Sequence, residues 1–460
     1  MLFSSIPFLF YFLAAVLLVY FLVPKKLKNA VLLIFSLLFY GWGEPKYVFL
    51  MIGTILAFYG YALAIGKAST KKWKKAWLVA SIVTGLTFLV VFKYADFFIK
   101  NISAVTGIKI PLLRLALPIG ISFYTFQCIS YTVDVYRGDA APQKNPVSFG
   151  AYVALFPQLI AGPIVRYVDV AAELEDRTTT WEDVYAGARR FLIGLGKKIL
   201  LANQFGQMIE IFRASGEKSV LFYWMYAIAF MLHIYFDFSG YSDMAIGLGR
   251  IFGFRFPENF NYPYMSKSVT EFWRRWHMTL GGWFRDYVYI PMGGNRVSKA
   301  RWVLNILTVW MLTGFWHGAD WNFILWGLTF AVLLMAEKWI PALQKLPSFF
   351  KHLYVLLIIA LTFVLFNAIS LAQAGTDFAG LFGFGGLPGV TAETLYYLRS
   401  YGLLFLVSFV GATPIVKKTA EKIPETARAI LEPIFMIALL LLCTAYLVDG
   451  SFNPFLYFRF

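Results

Sequence analysis

The chain has four histidines, few enough to weigh each for chemistry. His317 lies in TGFWHGADWNFILWG, at the end of an apolar run that begins near residue 302. A helix rises about 1.5 Å per residue, so this run carries His317 roughly 22 Å into a hydrocarbon core about 30 Å thick. Ionisable groups at such depth are costly and usually functional. Gly318 is expected to break the helix, and Trp316 and Asp320 flank the break, which suits a polar pocket. The plainer reading is a core histidine satisfied by a neighbour. The flanking tryptophans and the trailing Gly-Ala-Asp weigh against it.

His277 lies in SVTEFWRRWHMTLGGWFRDYVYIPMGGNR. Trp273 and His277 are four apart and are expected on one helix face, with Thr270 on the same side. Residues 255–301 carry eight basic residues against three acidic ones. Such a stretch reads either as a cytoplasmic amphipathic segment or as a vestibule for a phosphate-bearing donor. Arginine forks match phosphate oxygens well. Arg274, Arg275, Arg285 and Trp276 are therefore the candidates for donor contact.

His233 and Asp237 are four apart, as are Ser239 and Asp243, so each pair shares a helix face. They read as residues lining a cavity, with a structural pair favoured over a proton relay. His352 sits beside Lys351 at an expected helix end and reads as interfacial. No Walker motif, dinucleotide fingerprint, zinc pattern or nucleophile elbow is present. A histidine near neutral pKa can act as general base toward a hydroxyl. Acyl transfer from a thioester needs little beyond that base, positioning and oxyanion stabilisation.

The elements that must hold these residues are helices in lipid. The chain is 59% hydrophobic and 14% charged, with a mean hydropathy of +0.66. Soluble domains carry about 25% charged residues, so this chain cannot cover a water-facing surface. Its net charge of +16 fits lysine and arginine gathered on the cytoplasmic side, not a nucleic-acid partner. Cys128 and Cys443 sit in apolar runs and show no metal or disulfide spacing. No basic residue precedes Lys25, so residues 1–23 read as a retained first helix with its N-terminus outside.

Candidate spans fall near 4–23, 30–43, 47–65, 77–95, 113–134, 184–203, 220–236, 302–316, 321–340, 353–373, 395–412 and 429–448. Between 236 and 301 the chain is polar, Gly-rich and aromatic, and broken or tilted helices are expected. Residues 149–165 carry Pro157 and Pro163 in an apolar stretch and read as a re-entrant element. Basic clusters follow the first and third spans and precede the last, while the loop 374–394 has Asp377 and Glu393 but no lysine or arginine. That pattern places the clusters in the cytoplasm and the acidic loop outside. The loop 93–111 departs from it, with Lys93, Lys100 and Lys109 on the outer side.

The run FDFSGYSDMAIGLGRIFGFRFPENFNYPYMSKSVTEFWRRWHMTLGGWFRDYVYIPMGGNR, followed by LTGFWHGADWNFILWG, resembles the membrane-bound O-acyltransferase family. It is similar above all to the bacterial alginate and peptidoglycan O-acetyltransferase branch. The resemblance extends to LPIGISFYTFQCISYTVDVYRG, LFPQLIAGPIVRY and the terminal FNPFLYFRF. It implies an all-α, multi-pass protein: a ring of about 11–12 transmembrane helices around a central catalytic channel, with re-entrant or broken helices. Residues 1–460 would form one such domain with no soluble catalytic domain.

The family's active-site histidine maps onto His317, and its second polar position onto His277. The resemblance implies acetyl-coenzyme A as donor substrate, entering from the cytoplasm, with no permanently bound cofactor. It also implies a bacterial cytoplasmic membrane location and an exported or membrane-anchored, esterase-like acetyltransferase partner that acts on the polysaccharide. Alginate, peptidoglycan, cellulose and other exopolysaccharides fit alike. Two alternatives stay open: a D-alanyl transferase fed by a carrier-protein thioester, and a polysaccharide or lipid transporter.

Overall fold

The computed structural model describes residues 3–449, so the terminal FNPFLYFRF lies outside the described residues. Within that range the protein is built of helices and contains no strand. An apolar chain in lipid must satisfy its backbone internally, and the helix does so within one segment. Val48–Lys67, Lys71–Thr106, Val220–Ile251, Ser348–Asn367 and Glu425–Asp449 are long and apolar enough to cross a membrane. Ala392–Gly411 with Ile415–Glu421, bent by 65°, makes a sixth if it counts as one span. The protein is thus multi-pass. Several shorter runs also form helices, among them Lys28–Gly43 with 16 residues. At 1.5 Å per residue it covers about 24 Å, short of an average hydrocarbon core.

The described residues form two compact units, one of 3–191 with 241–258 and the other of 192–240 with 259–449. In the first unit, Lys71–Thr106 runs as one helical stretch, so Lys93 and Lys100 sit on helix rather than in a loop. The span expected at 113–134 is shorter, because its helix is Ile121–Arg137. The stretch before it carries Pro111 and Pro118 and stays non-helical, with the Asp96 carboxylate accepting from Leu113 N at 2.7 Å and Arg114 N at 3.0 Å.

The expected re-entrant stretch 149–165 is buried throughout. Helix Pro146–Ala154 gives way to the single turn Phe156–Leu159 and then to irregular chain. Side chains take up part of its backbone. Ser36 Oγ accepts from Phe156 N at 3.1 Å, and Tyr152 OH donates to Val165 O at 3.1 Å. This is the condition under which irregular backbone survives in an apolar setting.

In the second unit, residues 220–240 of the helix Val220–Ile251 are buried on nearly every face. A helix apolar all round belongs inside a bundle. The helix was expected to end near 236, but its polar residues do not break it. Asp237 is neutralised by Lys198 at 2.5 Å, and Gly240 lets the backbone of Gly194 approach. Beyond it, the chain from 252 to 298 is broken as expected, into the 3-10 turn Pro263–Met265, the short helices Val269–Arg275 and Met278–Phe284 and a π-turn at Arg285–Tyr289.

Helices Lys299–His317 and Trp321–Trp339 form a tight hairpin. A Cβ on Gly314 would lie 2.2 Å from Phe323 O, and one on Gly327 would lie 2.1 Å from Trp310 O. Only glycine at both positions allows this approach, as small residues do in membrane helix pairs. Asp320 caps the second helix by accepting from Trp321 N at 2.6 Å. His317 is therefore the last residue of the first helix, where the sequence placed it.

Candidate active site

Helix Val269–Arg275 is started by two side chains. Ser268 Oγ accepts from Glu271 N at 2.9 Å. Glu337, from the far end of the hairpin, accepts from Val269 N, from Thr270 N at 2.9 Å and from Thr270 Oγ1 at 2.7 Å. A carboxylate at a helix start meets unpaired amides and the positive end of the dipole. The helix stops at Arg275, and Trp276 is extended.

His277 adopts left-handed backbone with φ of 44° and stands before helix Met278–Phe284. The expectation that Trp273 and His277 share a helix face is therefore corrected. The helix breaks between them because neighbouring backbone groups bond elsewhere. Met278 N donates to Asn259 O at 3.0 Å, and Asn261 N donates to Arg275 O at 2.9 Å. Both side chains still face one cavity.

That cavity measures about 810 Å³. Its lining includes five basic side chains, Lys267, Arg274, Arg285, Lys338 and Lys351, against two acidic ones, Glu271 and Glu337. His277 and Trp273 belong to the wall, with Trp302 and Trp310. The volume suits a ligand of cofactor size. Arg285 is gripped by Asp286 through two contacts at 2.7 and 3.1 Å. Arg275 is outside the lining and pairs with Glu271 at 2.8 Å. Trp276 is buried against Phe260, Phe272 and Phe363 and supports the wall from behind.

His277 is 2% exposed. Its Nδ1 lies 3.1 Å from Asn259 Oδ1. Burial pushes its pKa well below the usual imidazole range, so the ring is neutral in the resting protein. Phe238 meets the ring edge-on at 4.7 Å, and Trp316 lies 5.9 Å away between centroids.

His317 is 4% exposed and sits among Trp316, Trp326 and Phe366, at 5.0, 5.2 and 5.3 Å between ring centroids. Trp316 thus touches both imidazoles. His317 is not part of the cavity lining. Trp316, the chain neighbour of His317, also lies beside His277, a relation that spacing could not give.

The remaining candidates sit elsewhere. Asp237 is bound to Lys198, and each side chain is 1% exposed. His233 and Ser239 are buried on the same helix, outside the cavity lining. Asp243 belongs to the first unit, where Arg190 holds it at 2.9 Å and also holds Glu258. Asp320 is spent on its helix cap, and His352 is outside the lining although Lys351 is in it. Sequence reasoning missed Glu337 and Asn259. Glu337 carried a usable signal, an acidic residue in an apolar helix. Asn259 carried none, because its role comes from contacts made only on folding.

Comparison with known proteins agrees with this architecture. The model of the membrane-bound O-acyltransferase family matches residues 140–372. A "Probable alginate O-acetylase AlgI" of Pseudomonas syringae pv. tomato is 41% identical over 446 residues, covering 93% of this chain and 85% of that protein. A "Peptidoglycan O-acetyltransferase" of Helicobacter pylori is 34% identical, covering 84% of this chain and 81% of that protein. A "Teichoic acid D-alanyltransferase" of Bacillus subtilis is 31% identical over 54% of this chain and 67% of that protein. With its basic cavity, its two buried histidines and these matches, the chain belongs to the membrane-bound O-acyltransferase family and is an O-acyltransferase.

Proposed function

We propose that this protein takes acetyl groups from acetyl-coenzyme A in the cytoplasm and passes them across the bacterial cytoplasmic membrane for O-acetylation of an extracytoplasmic polysaccharide such as alginate or peptidoglycan. An exported or membrane-anchored, esterase-like partner completes the transfer to the polymer. The observation that carries this reading is the basic cavity that ends on His277. Phosphates of a coenzyme A thioester match its cations, and of the two arginines in the lining Arg274 is the one without an ion pair among the described residues. The names of the two acetyltransferase relatives support acetyl over D-alanyl transfer, since their alignments cover more of the chain.

In this reading the acceptor hydroxyl gives its proton to a neutral imidazole as its oxygen attacks the thioester carbonyl. The C–S bond breaks, and the departing thiolate takes a proton to leave as the free thiol. His317 is the base or transient acyl acceptor, and His277 positions the thioester or shares the proton. The test is purified protein in lipid nanodiscs given radiolabelled acetyl-coenzyme A or a D-alanyl carrier protein. Thiol release from acetyl-coenzyme A alone is the expected result. Turnover of the carrier protein alone would establish the D-alanyl reading, and turnover of neither would reopen the transporter reading.

A further inference from the structure

We infer that Asn259 is a positioning residue for acyl transfer: its side-chain carbonyl holds His277 in the tautomer protonated on Nδ1 and leaves the Nε2 lone pair for the reaction. The inference rests on the proposed participation of His277.

Asn259 is fully buried in the irregular chain after the long helix, outside both short helices. Its Oδ1 collects three contacts: His277 Nδ1 at 3.1 Å, Thr279 Oγ1 at 2.9 Å and Thr279 N at 3.4 Å. A backbone N–H can only donate, so the atom that receives it is the amide oxygen and not the amide nitrogen. An oxygen with no hydrogen of its own can meet Nδ1 only if Nδ1 carries the proton. In a neutral imidazole the other nitrogen is then a bare acceptor. That nitrogen, His277 Nε2, is buried and has no hydrogen-bond partner among the described residues. Its ring packs against Phe238 in an edge arrangement and against Trp316 at a tilt.

The same residue also secures the backbone. Asn259 O accepts from Met278 N at 3.0 Å, directly after the left-handed His277. Left-handed backbone is uncommon for a residue with a Cβ and persists where the surroundings over-determine it. Asn259 thus grips the ring through its side chain and the following amide through its main chain. The arrangement repeats the logic by which a partner on one imidazole nitrogen sets the chemistry of the other.

The experiment compares purified Asn259→Leu, Asn259→Asp, His277→Ala and the double variant Asn259→Leu/His277→Ala in nanodiscs, reading kcat and KM for acetyl-coenzyme A. Asn259→Leu keeps volume and removes the acceptor, and a kcat loss of about 10–100-fold is expected, with KM little changed. Asn259→Asp keeps an acceptor for Nδ1–H and is expected to retain most of kcat. In the His277→Ala background the leucine substitution should cost nothing further, because the two act as a unit.

If Asn259→Leu aggregates, Asn259→Ser, with a shorter acceptor, replaces it and should fall between wild type and His277→Ala. Wild-type kcat in the leucine or serine variant, or a full additional loss in the double variant, would overturn the inference. Full turnover in His277→Ala would instead overturn the reading on which it rests.

Discussion

Arg274 is the basic residue that separates a donor vestibule from a merely positive cytoplasmic face. It lines the cavity and is exposed, while Arg275 is committed to Glu271 and Arg285 to Asp286. A hydrogen bond to a charged group contributes about 1.5–3 kcal/mol, so Arg274→Ala should raise KM for acetyl-coenzyme A roughly 10–100-fold while kcat changes less. Arg275→Ala should act through helix Val269–Arg275 and shift KM little. Equal kinetics for both variants and wild type would leave these arginines with only a topological role. The histidines and arginines were legible in the sequence because ionisable groups stand out in an apolar chain. Asn259 was not legible as a site residue, since it reaches His277 across 18 residues of chain, and Glu337 showed only as an acidic residue in an apolar helix, its partner Thr270 lying 67 residues away.

At the scale of elements, the site depends on a break rather than on a helix. Had Val269–Arg275 continued, His277 would have followed Trp273 on one face. Instead the break turns the chain, and Glu337 holds the start of the short helix from the hairpin. Glu337→Ala leaves amide donors of Val269 and Thr270 unpaired and should cost about 1–3 kcal/mol. Thermal unfolding of the purified protein should show that loss, and donor KM should rise as Arg274 loses its support. Glu337→Gln, which keeps an acceptor, should fall between the two. Unchanged stability and KM in the alanine variant would refute the cap's importance.

Long apolar runs announced their helices, whereas the extension of Val220–Ile251 past residue 236 was hidden by Asp237 and Ser239. Their polarity suggested a break, and only the Lys198 partner of Asp237 reveals why none occurs. Likewise Gly107, Pro111 and Pro118 signal a stretch outside helix, but not that Asp96, 17 residues before Leu113, binds its backbone.

For the whole molecule, the reaction as proposed requires a donor cavity open to the cytoplasm. The basic clusters at 67–75 and 417–428 should then face inward and residues 374–394 outward. The acidic segment is not a plain loop. Its first half belongs to helix Leu371–Leu381, where buried Asp377 holds Arg213 at 2.7 Å. Thr376 and Ser69 are both exposed and can report sidedness. A cysteine at 376 should react with an impermeant label applied from outside, and one at 69 should not. The opposite pattern would invert the topology and place the cavity on the wrong side for a cytoplasmic donor.

The proposed function has two buried histidines drive acetyl transfer, and polymer acetylation in cells tests it most directly. General-base action contributes about 10²–10⁴-fold, so His317→Ala should abolish acetylation while the protein stays monodisperse and membrane-inserted. His277→Ala should impair it, and His352→Ala should match wild type. A well-folded His317→Ala variant with normal acetylation would contradict the account.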